Sequence, residues 1–141
     1  GLKCDVAITP RRRDRSSRRN LPFWQEIVDG LRNQGYTVGC VGEQQTSFQL
    51  DRVEVCSWDH GGLEAAIEIL SEAKLVLAQN TGTAHLSVFL ECPTILMKTG
   101  SGMIYLMEAQ RNPNVHFQVI EARPKAALIA AVRLLERSGT S

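Results

Sequence analysis

The sequence lacks the features that mark membrane, secreted and multidomain proteins. Its apolar stretches, such as 75–78 and 126–135, are too short or too interrupted to cross a bilayer. No basic segment followed by an apolar run opens the chain, and no repeat, linker or low-complexity tract divides it. With 141 residues, 43% of them apolar, the chain fits one soluble globular domain covering residues 1–141.

Cysteine spacing excludes the common metal and redox motifs. No two of the four cysteines lie closer than sixteen residues, so a CxxC pair is absent from the sequence. Three of the four fall inside strand-like runs, which favours free, buried thiols in a reducing cytoplasm over a secreted disulfide scaffold. The four residues are Cys4, Cys40, Cys56 and Cys92.

The usual catalytic constellations are also missing. The three histidines, His60, His85 and His116, lack metal-ligand spacing, and no Ser-His-Asp or Cys-His nucleophile arrangement is evident. Metal catalysis is therefore not supported, and we expect no cofactor.

Strand-like and helical segments alternate almost throughout the chain. This alternation predicts a parallel sheet covered by helices on both faces, a Rossmann-like three-layer αβα domain with strand order 3-2-1-4-5-6. Such a sheet binds ligands at the carboxyl ends of its strands, near the switch between the first and fourth. The predicted strands are 2–9, 36–41, 52–58, 74–78, 93–98 and 115–120; the predicted helices are 21–35, 63–73, 83–91, 104–110 and 124–137.

A candidate anion site follows the fourth predicted strand. There a glycine permits close backbone approach, and a helix begins with free amide groups directed at the loop. Two threonine hydroxyls and one imidazole add hydrogen-bond donors. An ordinary strand-to-helix turn capped by threonine would have a similar sequence. The segment is Asn80, Thr81, Gly82, Thr83, Ala84 and His85.

A basic loop follows the first predicted strand. Residues 11–19 hold six arginines and one aspartate, a local charge of +5 in a chain of net charge +1. One or two guanidinium groups could make bidentate contacts to a diphosphate, and Arg11, Arg12 and Arg13 are the candidates. The surplus is expected to be solvated, with contact to nucleic acid or to an acidic partner domain as less favoured alternatives.

The segment 78–87, followed by the proline-initiated strand 93–96, resembles a family fingerprint of the form Asp-Ser/Thr-Gly-x-x-His. The family is the heptosyltransferase-like glycosyltransferases, family 9, of the GT-B fold. The resemblance is to their C-terminal, donor-binding domain, and it extends back through 67–73, 63–64 and 42–43 to the helix at Trp24.

The resemblance implies roles for individual residues. The backbone amides of Thr81 and Gly82 would hold the diphosphate of a nucleoside-diphosphate sugar, and Asn80, in place of the usual aspartate, would help to place the sugar. One of Arg11 to Arg13 would contact the phosphates. Nucleoside binding would fall on residues after the second and third strands, namely Glu43, Trp58 and Leu63.

The resemblance also implies a partner. In these enzymes the acceptor site belongs to an N-terminal domain, and the chain begins at Gly1 rather than Met, so we expect a fragment or a processed chain. Alone it would bind a nucleotide sugar without turnover. Two alternatives remain open: a non-enzymatic nucleotide- or polyanion-binding module, and a protein like the nucleotide-sugar epimerases of GT-B fold.

Overall fold

The computed structural model describes residues 2–12, 23–79, 82–98 and 112–139. Within these ranges, two short 3-10 turns, Gln44–Thr46 and Ser57–Asp59, lie on either side of the third strand. The strands are β1 (Val6–Ile8), β2 (Val38–Cys40), β3 (Val55–Cys56), β4 (Leu75–Gln79), β5 (Thr94–Lys98) and β6 (Phe117–Glu121). The helices are α1 (Trp24–Asn33), α2 (Leu63–Glu72), α3 (Gly82–Phe89) and α4 (Pro124–Gly139).

The strands form one six-stranded sheet in the order β3-β2-β1-β4-β5-β6, with every pair parallel. The predicted Rossmann-like αβα architecture and strand order are confirmed. β1 lies at the centre, with Ile8 in register with Cys40 on one side and Leu77 on the other. Because all strands run the same way, the segments that follow β1, β2, β3 and β4 meet at one edge of the sheet.

Each face of the sheet carries its own apolar core. α1 and α4 pack against alternate residues of β1, β2, β4 and β5 on one face. The residues that α1 buries recur at helical spacing: Trp24, Ile27, Val28 and Leu31. α2 and α3 cover the opposite face. Since β4 is covered on both faces, all five of its residues are buried, which explains its nearly continuous apolar run.

None of the described helices has the length and apolarity needed to cross a membrane.

The third strand is shorter than predicted. The sequence predicts a strand over 52–58, but β3 contains only Val55 and Cys56. The Ser57 hydroxyl accepts a hydrogen bond from the Gly42 N–H and donates to the Gly42 carbonyl, each at 3.1 Å. A side chain therefore replaces backbone pairing at this point, and the chain turns into the 3-10 segment. The predicted helix 104–110 lies outside the described residues.

Gly39 in β2 allows close packing of the α2 and α3 face. A Cβ atom at this position would lie 2.8 Å from Cys4 Sγ and 3.0 Å from Val55 Cγ1. We expect Gly39→Ala to lower the free energy of unfolding by about 1–2 kcal/mol, measured by urea denaturation, because overpacking a strand outweighs the gain in backbone propensity. Cys4→Ala should restore part of the loss in the double variant. An unchanged or raised stability of Gly39→Ala would contradict this packing.

Candidate functional site

Gln79 is the last residue of β4 and directly precedes the sequence-predicted anion segment. Its side chain is buried and accepts a hydrogen bond from the Trp24 indole N–H at 3.2 Å. Its backbone N–H donates to the Thr9 hydroxyl, which follows β1, at 3.3 Å. A hydrogen bond thus joins Gln79, at the end of β4, directly to Thr9, which follows β1.

The beginning of the arginine loop is also held in place. Arg11 forms an antiparallel bridge with Ser47, and the Arg12 N–H donates to the Thr46 carbonyl at 2.7 Å. The Arg12 guanidinium lies over the Phe48 ring, 5.9 Å from its centroid, in a cation–π contact. The first two arginines therefore lie beside the segment that follows Glu43.

The Arg11 side chain carries an unsatisfied donor. Its Nε is buried and has no hydrogen-bond partner among the described residues. A buried guanidinium donor without a partner costs free energy unless a ligand or water accepts from it. Arg11 thus places an unpartnered donor at the carboxyl edge of the sheet, as Arg32 Nε does elsewhere in the described residues.

A cleft of about 250 Å³ opens at the same edge, on the face covered by α2 and α3. One wall is the chain that follows β2, and the others are the first turns of α2 and the middle of α3. Apolar side chains form most of the lining, and the exposed carboxylate of Glu43 is the charged group in it. The lining residues are Val41, Gly42, Glu43, Gly62, Leu63, Ala66 and Leu86.

The cleft lies against the amino-terminal end of α2. Gly61 and Gly62 precede this helix with φ of +105° and +72°, a region that glycine adopts without strain, and no side chain caps the helix. The first amide groups of α2 therefore lack an intrahelical partner, and they lie at the end of the helix that lines the cleft through Gly62 and Leu63. Together with the macrodipole, they favour a partly negative ligand.

α3 contributes its own amino-terminal end at this edge. It begins at Gly82, and His85 in its first turn is half-buried. Leu86, the next residue, lines the cleft. The start of α3 and the cleft are therefore adjacent, and a ligand that fills the cleft has a second helix terminus within reach.

The structure brings together some of the sequence-predicted site residues. Glu43 and Leu63 line one cleft, and Arg11 and Arg12 begin the loop next to the segment following Glu43. Trp58 instead packs partly against the core on the opposite face, and it is not among the described residues that line the cleft. Arg13, Asn80 and Thr81 lie outside the described residues, as does the Thr83 side chain.

Sequence reasoning missed the apolar walls of the cleft and the hydrogen bond by which Gln79 joins the end of β4 to α1. Val41, Ala66 and Leu86 come from three separate elements and read as ordinary core positions. Gln79 carried a usable signal, because an amide side chain that ends an otherwise apolar, buried strand requires a partner.

A second groove of about 300 Å³ lies at the far edge of the sheet, between β6 and α4. It is lined by both basic and apolar side chains, among them His116, Ile129 and Arg133. It is separated from β4 by β5, and it does not include residues of the predicted site.

The described part of the chain contains no cluster of three or more metal-ligating side chains.

Comparison with known proteins gives similarity at the level of structure alone. No protein-family model matches the chain, and no curated protein matches it. Among solved structures, a family 9 glycosyl transferase from Veillonella parvula DSM 2008 superposes with a TM-score of 0.70 at 13% identity, covering 94% of this chain and 46% of that one. The E. coli ADP-heptose LPS heptosyltransferase II gives 0.69 at 14% identity, covering 95% and 47%.

A third structure is E. coli heptosyltransferase WaaC with ADP-2-deoxy-2-fluoro heptose. Its TM-score is 0.62 at 19% identity, covering 96% of this chain and 43% of that chain. This chain thus spans less than half the length of each of these three structures. Its fold is similar to that of one half of the family 9 glycosyltransferases.

Proposed function

We propose that this domain binds a nucleoside-diphosphate sugar and serves as the donor half of a heptosyltransferase-like glycosyltransferase. The observation that carries the proposal is the cleft at the carboxyl edge, in which Glu43 lies among apolar side chains beside a helix terminus. This placement agrees with the rule that open α/β sheets bind ligands outside the carboxyl ends of their strands.

The cleft suits a nucleoside in size and chemistry. Its volume of about 250 Å³ lies just below the range of about 300–1,000 Å³ that is typical of whole small-molecule sites. Leu63, 68% exposed at the mouth, and Leu86 offer apolar surface to a nucleobase. The Glu43 carboxylate can accept hydrogen bonds from ribose hydroxyls, as an acidic residue does in dinucleotide sites.

The diphosphate would lie between the cleft and the arginine loop. The start of α3 supplies amide donors and a positive dipole end, and Arg11 supplies a guanidinium whose Nε has no partner in the described structure. In a transferase these groups would stabilise the negative charge that develops on the leaving diphosphate. The roles of Asn80, Thr81, Gly82, Thr83 and His85 remain predictions.

The structural neighbours support this ligand class. E. coli WaaC is known in complex with ADP and with ADP-2-deoxy-2-fluoro heptose, a nucleoside-diphosphate sugar analogue. We therefore propose that a further domain supplies the acceptor site, in the same chain or in another, and that catalysis takes place in the cytoplasm. The chain alone should bind donor without turning it over.

Glu43→Gln tests the nucleoside part of the proposal. We expect about tenfold weaker binding of ADP by isothermal titration calorimetry, because a charge-assisted hydrogen bond to the ribose is lost. Binding of 2′,3′-dideoxy-ADP, which lacks both hydroxyls, should be nearly unchanged by the same substitution. Glu68→Gln, an exposed glutamate of α2 outside the cleft lining, is the matched control and should bind ADP as the original chain does.

Three results would count against the proposal. The first is that ADP, UDP and GDP and their sugars all fail to bind. The second is that Glu43→Gln weakens ADP and dideoxy-ADP equally, which would show that the effect is not on the ribose. The third is that a single-stranded oligonucleotide binds with a steep salt dependence and displaces ADP, which would favour the polyanion-binding module.

A further inference from the structure

Two cysteines lie side by side at the ends of β2 and β3. Cys40 and Cys56 are register partners in this parallel pair, so their side chains point to the same face of the sheet. Neighbouring strands are about 4.8 Å apart, which is within the Cα separation of about 4.4–6.8 Å that disulfides span. Both side chains pack against the same apolar core, under α1 and α4, and each thiol shifts the pKa of the other.

We propose that Cys40 and Cys56 form a thiol–disulfide exchange site, at which a small disulfide of the glutathione class converts the pair to an intramolecular disulfide. The two residues are next in sequence to residues that form or support the cleft wall, although their own side chains lie on the opposite face of the sheet, under α1 and α4. Cys40 directly precedes Val41 of the cleft wall, and Cys56 directly precedes Ser57, whose hydroxyl holds Gly42. The cross-link would therefore tie the two strands that support this wall.

The environments of the two thiols assign them different parts in the exchange. The hydrogen bond between them lowers the pKa of the half-buried Cys56, against the opposing effects of burial and of Asp59. The same hydrogen bond, together with burial, raises the pKa of Cys40, which is 1% exposed. Cys56 is thus the accessible nucleophile, and Cys40 is the resolving thiol, because thiolate character and access control reactivity.

The small disulfide is the oxidant of the exchange, and no further reactant is needed. The Cys56 thiolate attacks one sulfur of the small disulfide, whose S–S bond breaks, and a mixed disulfide forms as one small thiolate leaves. Cys40 then loses its proton and attacks the Cys56 sulfur. The Cys40–Cys56 bond forms as the mixed disulfide breaks and the second small thiolate leaves. The protein loses two electrons and two protons, and the small disulfide is reduced to two thiols.

The other two cysteines do not fit this chemistry. Cys4 and Cys92 are 6% and 5% exposed, and burial raises the pKa of the Cys4 thiol to about 12. Cys92 Sγ donates to the Leu70 carbonyl at 2.7 Å, and burial raises its pKa as well. They serve as internal controls, since both should remain free thiols under conditions that oxidise the pair.

The test is incubation of the full 141-residue chain with excess oxidised glutathione, followed by intact-mass measurement and peptide mapping. We expect a product lighter by two hydrogen atoms, with the Cys40 and Cys56 peptides joined, and a Tm raised by several degrees because a loop is closed. Cys40→Ser should instead accumulate one glutathione on Cys56. Cys56→Ser should lose nearly all reactivity, and Cys92→Ser should behave like the original chain.

Mapping of the unsubstituted chain keeps the test decisive even if a variant fails to fold. A stable glutathione adduct on Cys56 without closure, a disulfide that involves Cys4 or Cys92, or four unreacted thiols would each overturn the proposal. A joined Cys40–Cys56 peptide together with the trapped adduct in Cys40→Ser would establish both the pair and the order of attack.

Discussion

Trp24→Ala is expected to lower the free energy of unfolding by about 3–5 kcal/mol, the largest loss among the substitutions considered, because it leaves a large cavity. Trp24 is 1% exposed and lies in the core between α1 and the sheet. Its indole N–H also donates to the buried Gln79 side chain at 3.2 Å. The substitution therefore removes both apolar contacts and a partner of a buried amide. Urea denaturation followed by circular dichroism measures the loss.

Two further substitutions separate packing from hydrogen bonding. Trp24→Phe retains most of the apolar volume but removes the indole donor, and we expect a loss of about 1–3 kcal/mol. Phe89→Ala is the control, because Phe89 is 82% exposed and its removal should change stability by less than about 0.5 kcal/mol. A loss below about 1 kcal/mol for Trp24→Ala would show that this side chain is not part of the core.

Arg11→Ala is expected to weaken ADP binding about 10- to 100-fold, the largest effect on binding among the described residues. A charge-assisted hydrogen bond is worth about 1.5–3 kcal/mol, and Arg11 Nε has no hydrogen-bond partner among the described residues. Adenosine lacks the diphosphate, so its affinity should change less than about twofold. Isothermal titration with both ligands measures this difference.

Arg52→Ala is the matched arginine control for that experiment. Arg52 lies outside the cleft lining and contacts Asp29 Oδ1 at 3.3 Å and Asn33 Oδ1 at 3.1 Å, both on α1. Removing it subtracts the same charge from the protein but should leave ADP binding within about twofold, because distant charges are screened by salt. If Arg52→Ala weakened ADP as much as Arg11→Ala, the effect would reflect net charge rather than a specific contact.

The sequence by itself determined the architecture. Apolar runs such as 75–79 and helical spacing such as that of Trp24, Ile27 and Leu31 are local patterns, and local patterns report which face of an element is buried. Their alternation predicted a parallel sheet with right-handed crossovers, and the predicted order 3-2-1-4-5-6, a common one for such sheets, is confirmed. This order predicts that the arginine loop and the segment after β4 lie at the same edge of the sheet.

Only the tertiary structure decided which residues share a site. Val41, Leu63 and Leu86 meet because strand register and helix packing bring three distant segments together, and no local pattern records that meeting. Trp58, which was predicted to bind the nucleoside together with Glu43, instead packs against the core on the α1 and α4 face. Register likewise paired Cys40 with Cys56, which lie sixteen positions apart. Periodicity is a property of one element, whereas a site depends on the contacts between several.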